Sequence, residues 1–458
     1  MTLLRRQAAG ASGGLTLLAA LLAFAALLLP VTRAEAMKIQ VVKSPGGITA
    51  WLVEEHAVPL IGMRFAFDGG SSQDPAGKEG IAHFLAGMLD EGAGDFDAKT
   101  FQERMEEIAM RMSFDDARDA FYGSLETLSE NRDKAVELLA LALGKPRFDV
   151  DAVERVRGQL MAGLAYAARD PDRVANEQWN ALAFPGHPYG RPVNGTPATI
   201  QGMTRDDLAA YWSRTFAKDN LRVVVVGDVD AATLSGMLDK LFGQLPAKAQ
   251  LAAVPPTQPA ASGDRLKVID MAVPQSVARF GLPALPRKDK DFIPAFVLNT
   301  VLGGGVMSSR LWEEVREKRG LAYSVHSNIQ PYKSTSVFSG GVATKNEQIA
   351  QSLELIRGEL KRIATEGPTE KELKDAKDYL TGSFALRFDS NAKIANQLLF
   401  FWQENLDPGY VDRRNAEIEA VTLEDAKRAA KRLFENQELI VTVVGKPKGL
   451  AASPQPRG

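Results

Sequence analysis

His83 is a residue whose type could bind a metal, and its neighbours decide whether it does. It stands in Gly80-Ile81-Ala82-His83-Phe84-Leu85-Ala86-Gly87-Met88-Leu89-Asp90-Glu91. Two histidines four apart on a helix share a face and hold one ion, and a glutamate between them activates a water; this is the H-x-x-E-H arrangement. Here the glutamate position is Ala86 and the second histidine position is Gly87. Catalytic zinc needs three protein ligands and an open position, and one imidazole supplies only one of them. Continued as a helix, the chain places Asp90 and Glu91 about 10–12 Å further along the axis at about 1.5 Å per residue, far beyond a metal–ligand bond of about 2 Å. The chain holds four histidines (His56, His83, His187 and His326) and no cysteine, and no two of the histidines lie close in sequence. His83 therefore reads as a partly buried helix histidine, and no metal is expected on this chain.

The elements that would position such a helix follow from periodicity and turn residues. Lys38–Lys43 and Ile48–Glu54 flank Pro45-Gly46-Gly47 and read as a hairpin, and Leu60–Phe67 alternates as a third strand. The His83 helix follows, then an amphipathic helix over Ala98–Met112, paired strands within Ser113–Leu128, and helices over about Arg132–Leu143 and Val150–Arg169, the last stopped by Pro171. Phe184–Gly190 is a turn-rich loop whose His187 and Tyr189 read as structural. A helix from Thr204 to Phe216 leads into the apolar run Leu221–Gly227. Ala247–Gly263, rich in Pro, Ala, Gln and Ser, reads as an interdomain linker. Beyond it the pattern restarts, with strands near Leu266–Met271 and Ser276–Gly281, a helix over Phe292–Leu302, a helix to about Lys318, strands near Ala322–Asn328 and Ser334–Ala343, and further helices. Gly303-Gly304-Gly305 lacks the Lys-Ser/Thr of a phosphate loop and reads as a turn with positive φ.

A repeat underlies this restart. Thr204, Asp207, Phe216, Leu221, Val226 and Gly227 match Thr422, Asp425, Phe434, Leu439, Val444 and Gly445 at one ungapped offset, and Ala175-Asn176 matches Ala395-Asn396 at nearly the same one. The chain reads as two homologous α+β units, each a mixed or antiparallel sheet packed with long helices, over 37–246 and 264–448, with a disordered tail at 449–458.

Composition is that of an ordinary globular chain, with 458 residues, 45% of them hydrophobic and 24% charged. Arg5 and Arg6, the apolar run Leu15–Leu29 and Ala34-Glu35-Ala36 read as a secretory signal over residues 1–36, too short in its apolar part to be a stable membrane anchor. The expected location is the periplasm. Removing those residues takes away three cations and one anion, so the net charge moves from −2 to −4, and no nucleic-acid partner is expected.

Two further stretches carry a resemblance. Leu302-Gly303-Gly304-Gly305-Val306-Met307-Ser308-Ser309-Arg310-Leu311-Trp312 is followed by Glu314-Val315-Arg316-Glu317-Lys318-Arg319-Gly320-Leu321-Ala322-Tyr323-Ser324. With the two homologous halves and the Gly-x-Ala-His-Phe-Leu helix start, the chain over residues 38–448 resembles the pitrilysin/insulinase inverzincins, and within them the short branch that includes mitochondrial processing peptidase. The resemblance implies a third zinc ligand, a glutamate, on a later helix; counting from Gly87 reaches Gly163 in Gln159-Leu160-Met161-Ala162-Gly163-Leu164. Ala86, Gly87 and Gly163 thus replace the base and two of three ligands. The resemblance further implies that Arg316 and Tyr323 are supplied in trans to a homologous partner with intact H-x-x-E-H. The partner would hold the zinc, and the Arg and Tyr would stabilise the carbonyl oxygen of a peptide substrate during hydrolysis. On residue type alone, Arg316 would instead complement a helix C-terminus and Tyr323 would sit in a sheet core. The expected function is a non-catalytic subunit of an exported heterodimeric zinc peptidase. The rivals are a structural or assembly scaffold and a peptide-binding, chaperone-like module.

Overall fold

The computed structural model describes residues 37–260, 265–305, 307–435 and 438–450. The signal segment 1–36, the end of the linker at 261–263 and the tail from 451 lie outside these residues.

Two sheets organise the chain from Ile39 onward. The first has the strand order Gln40–Lys43, Thr49–Glu54, Leu221–Gly227, Leu60–Asp68, Ala120–Leu128, Arg111–Asp116. The second runs Leu266–Asp270, Ile440–Gly445, Gln275–Pro283, Ser336–Lys345, Ala322–Pro331. Apart from the additional first strand of the hairpin, the two orders are the same, and so are the directions. Each has one parallel pair (Thr49–Glu54 with Leu221–Gly227; Leu266–Asp270 with Ile440–Gly445) followed by antiparallel pairs.

The repeat holds at the level of single residues. Thr204 and Asp207, and Thr422 and Asp425, each form a capping box at the start of a helix, satisfying orphan N–H groups in both places. Gly227 and Gly445 end their strands at φ 139° and 143°, a region open essentially to glycine. Phe65 lies across from Gly123, and Phe280 across from Gly340. A Cβ at either glycine would stand 2.0 and 2.3 Å from the facing ring, so each aromatic ring occupies the place of a missing side chain.

The halves are interlocked by an exchange of helices. Pro171–Ala183, from the first half, packs across the second sheet, while its repeat equivalent Asn391–Gln403 packs across the first. Trp179 donates its indole N–H to the Ile440 carbonyl at 2.9 Å and lies over Gly281; Thr442 donates to the Ala175 carbonyl at 2.8 Å. In the reciprocal contact Arg64 donates to Asn396 at 3.1 Å, Tyr122 to Gln403 at 3.1 Å, and Trp402 stacks on Trp51 at 4.7 Å. Trp179 and Trp51 are both buried, so each half completes its core with a piece of the other.

Several expected boundaries move. The helix predicted over Ala98–Met112 ends at Glu107, because Ala109 takes φ 50° and Arg111 already starts a strand. Pro171 does more than stop a helix: it opens the next one at its first turn, where its missing N–H costs nothing. Of the three glycines at 303–305, Gly305 has positive φ. The linker, over the described residues 247–260, is pinned at both ends: Gln73 exchanges two hydrogen bonds with Ala252, and Thr257 and Ala260 donate to Ser334 and Ala183. His187 and Tyr189 are buried and structural, the Tyr189 hydroxyl donating to Asp119 at 2.6 Å.

Candidate functional site

The His83 helix is short, Ile81–Ala86, and is held by its start. Asp74 is buried and accepts from the N–H groups of Gly80 at 2.7 Å and Ala82 at 3.3 Å. Burial holds its carboxyl well above the usual range even against those two bonds. His83 itself is one-third exposed, and its Nδ1 bonds Asp116 at 2.9 Å. That bond raises the His83 pKa, while burial raises Asp116. A carboxylate on one ring nitrogen is how metal-binding histidines are commonly oriented, so His83 keeps the posture of a ligand.

The rest of a metal site does not fit. Ala86 is buried. Gly87 closes the helix, and a Cβ there would meet Val156 Cγ1 at 3.1 Å; around the exposed Gly163 there is nothing within 4 Å. Because the helix stops at Ala86, Asp90 and Glu91 leave its axis: Asp90 accepts from Gln102, and Glu91 pairs with Arg155 at 2.6 Å. Among the described residues, no group of three or more His, Cys, Asp or Glu is placed to hold a metal ion.

Arg316 and Tyr323 are brought together, by two backbone irregularities. Trp312–Glu317 is a π-helix, a rare form that often marks functional sites. The next strand carries a β-bulge: Ala322 pairs with Thr344 and Ser324 with Ala343, leaving Tyr323 as the extra residue. A bulge re-aims a side chain, and Tyr323 is 82% exposed, which overturns the expectation of a sheet-core tyrosine. The Arg316 guanidinium lies over Trp312, 4.0 Å from the ring centroid, and over Tyr323 at 5.0 Å. The pair borders an open depression of about 450 Å³ shared with Gln275, Thr344, Lys345 and Gln348.

Buried charges fix this segment from behind. Glu314 accepts from Lys318 at 2.7 Å and from Arg319. Arg310, also buried, makes a two-pronged bond to Glu372 at 2.6 and 2.8 Å. Burial would raise Glu372, but Arg310 and the Thr369 cap bring it down to about 2. Sequence reasoning missed Asp116 and Trp312. The Trp312–Arg316 spacing of four was the available signal for the second; Asp116 lies 33 residues from His83 and left none.

Similarity to known proteins agrees with this geometry. Residues 54–197 match the family model described as insulinase (peptidase family M16), and residues 202–380 match the peptidase M16 inactive domain. The non-peptidase homolog YmxG of Helicobacter pylori is 28% identical over 86% of this chain and 91% of its own. The mitochondrial-processing peptidase subunit beta of Blastocladiella emersonii is 25% identical over 89% of each chain. A crystal structure of a peptidase M16 inactive domain from Pseudomonas fluorescens superposes with a TM-score of 0.83 at 28% identity, covering 91% of this chain and 100% of that one. With two M16 units matched in order and the same α+β repeat, the chain belongs to the insulinase family of zinc peptidases, family M16, as a member whose H-x-x-E-H motif is degenerate, with Ala86 at the glutamate position and Gly87 at the second histidine position.

Proposed function

We propose that this chain is the non-catalytic subunit of an exported two-chain peptidase, paired with a homologous chain that carries an intact H-x-x-E-H and its zinc. It helps enclose a peptide and presents Arg316 and Tyr323 to the carbonyl being attacked. The observation that carries this reading is the Arg316–Tyr323 pair, its phenol set out toward solvent by a bulge beside a π-helix, in a chain among whose described residues no group of three or more His, Cys, Asp or Glu is placed to hold a metal ion. As a peptide carbonyl becomes tetrahedral, negative charge grows on its oxygen. A phenol O–H and a guanidinium N–H aimed there donate more strongly to that oxygen than to the ground-state carbonyl. The name of the H. pylori relative supports inactivity of the lone chain, and the signal-like residues 1–36 support export.

The test is reconstitution. Mixed with an intact H-x-x-E-H homologue, wild type should support cleavage that neither chain shows alone. Arg316→Ala and Tyr323→Phe should form the same heterodimer by mass and lose about 10²–10³-fold in kcat. Wild-type rates from both assembled variants would replace this reading with that of a scaffold.

A further inference from the structure

A cavity of the first half shares no lining residue with the depression beside Arg316. It encloses about 730 Å³ between the C-terminal turns of the Val150–Ala167 helix, the Pro171–Ala183 helix and the loop 190–197. One wall is apolar, from Met161, Leu164, Ala165 and Ala168. Three arginines, Arg118, Arg173 and Arg191, also line it.

These cations are weakly compensated. Arg118 donates to the Tyr189 carbonyl and leans over that ring at 5.9 Å; Arg191 donates to the Asp74 carbonyl at 3.1 Å. Both partners are neutral backbone groups, and neither arginine has a carboxylate within ion-pair distance among the described residues. Arg173 reaches Asp170 at 3.6 Å with both groups partly exposed, a pairing of little strength in water, and its charge also acts on Glu177 and His83. Glu177 is the single acid in the lining, against three cations. On a chain whose net charge is negative, this is a local concentration of positive charge inside a concave, partly apolar wall, which focuses potential onto an anionic ligand. Planar guanidinium forks match carboxylates. The Asn176 and Asn194 side chains on the same lining are suited to a peptide backbone. An apolar wall beside the cations fits a peptide with side chains better than a bare inorganic anion.

We propose that this groove binds a carboxylate-bearing peptide segment, its carboxylate held by Arg118, Arg173 and Arg191 and its apolar side chains against Met161, Leu164 and Ala168. The site belongs to this chain alone and needs no partner. The carboxylate comes either from acidic side chains or from a free C-terminus, and the test separates the two.

The experiment uses the full exported chain and fluorescein-labelled decapeptides of mixed Glu, Leu and Ala, with a Glu→Gln set, each made with a free or an amidated C-terminus. Fluorescence anisotropy should show saturable binding of the acidic peptide that weakens as salt rises from 50 to about 300 mM. Replacing Glu by Gln should weaken binding about tenfold if side chains supply the carboxylate; amidation should do so if the C-terminus does. Arg173→Glu should weaken binding about tenfold, and Ala168→Trp, which fills the groove without changing charge, should weaken it similarly. Both positions are exposed, so these variants should melt like wild type. Lys99→Ala, which removes an exposed cation outside the groove, should bind as wild type does. Equal binding of the amidated Gln peptide, or undiminished binding by both groove variants, would overturn the proposal.

Discussion

If the lost metal site is a matter of three side chains on an intact scaffold, then Ala86→Glu, Gly87→His and Gly163→Glu together should recover zinc binding. Gly163 is an exposed helix-interior glycine with open space around its Cβ position, so glutamate there should stabilise the helix by about 0.5–1 kcal/mol. Gly87 has φ −77°, so a side chain is allowed by the backbone, but its Cβ would sit 3.1 Å from Val156 Cγ1. A shift of a few tenths of an ångström is needed, at a cost of about 1–3 kcal/mol if the helices resist. From the two glycine positions the net change without metal therefore runs from near zero to about 2.5 kcal/mol of destabilisation, and a carboxylate at the buried Ala86 adds to it. Zinc should offset it: at 100 times its Kd the gain is about 2.7 kcal/mol. Elemental analysis after dialysis should read one zinc per variant chain and none for wild type, and zinc should raise the variant's melting temperature only. Binding should weaken in acid, since the bond to Asp116 raises the His83 pKa and a ligand must be deprotonated. A folded triple variant that takes up no zinc would refute the reasoning, showing that Gly163 is not the third ligand position or that the helices have moved apart.

Three further outcomes are expected. In the reconstituted pair, Trp312→Ala should free the Arg316 guanidinium and lower kcat more than it raises KM, and Trp312→Phe should restore most of the loss; equal rates from both variants would mean the stack at 4.0 Å does not position Arg316. Glu404 has its pKa raised to about 7 by burial, with Arg287 opposing. A folded pKa above the unfolded one means this contribution is full below about pH 4.5 and lost as pH rises through 7. Glu404→Gln should therefore gain urea resistance relative to wild type at pH 8.5 and not at pH 4.5. Trp179→Ala should cost about 3–5 kcal/mol, since it removes a buried ring from the second sheet and leaves the Ile440 carbonyl unpaired; calorimetry should still show both halves unfolding in one transition, because the exchanged helices tie them together.

Much of the fold was legible because its signals are local. The capping pairs Thr204/Asp207 and Thr422/Asp425 and the strand-ending Gly227 and Gly445 need only their own neighbours to do their work, so a repeat could be read by offset. The helix exchange was not legible. Trp179 meets Ile440 across 261 residues, and an amphipathic helix pattern says which face is apolar without saying which sheet will cover it. The false extension of the Ala98 helix to Met112 arose because Met105, Ile108 and Met112 keep helical spacing while Ala109 turns the chain. The site was half legible: the motif named Arg316 and Tyr323, but the bulge that exposes Tyr323 shifts pairing by one residue, a change invisible in a two-residue period.

What each half retains follows from what the fold itself requires. Asp74 satisfies the start of the His83 helix from a buried position at the expense of a strongly raised pKa; without it, two N–H groups would lose their partner, so the core alone is reason to keep it. The positions that the resemblance assigns to the lost ligands carry no such burden: Gly163 faces solvent and Gly87 abuts Val156, so chemistry there can change while the helices stay. The same reasoning gives the opposite result for the second half. An 82% exposed tyrosine contributes almost nothing to the core. A π-turn and a bulge replace regular hydrogen bonding with poorer or missing bonds. The π-turn packs through the fully buried Leu311 and Val315, and the Arg310–Glu372 and Glu314 clamps hold the same segment, so it is the exposed Tyr323 side chain that packing does not require. An irregular backbone that holds a guanidinium against an exposed phenol is the observation on which the proposed contact with a partner's bound peptide rests.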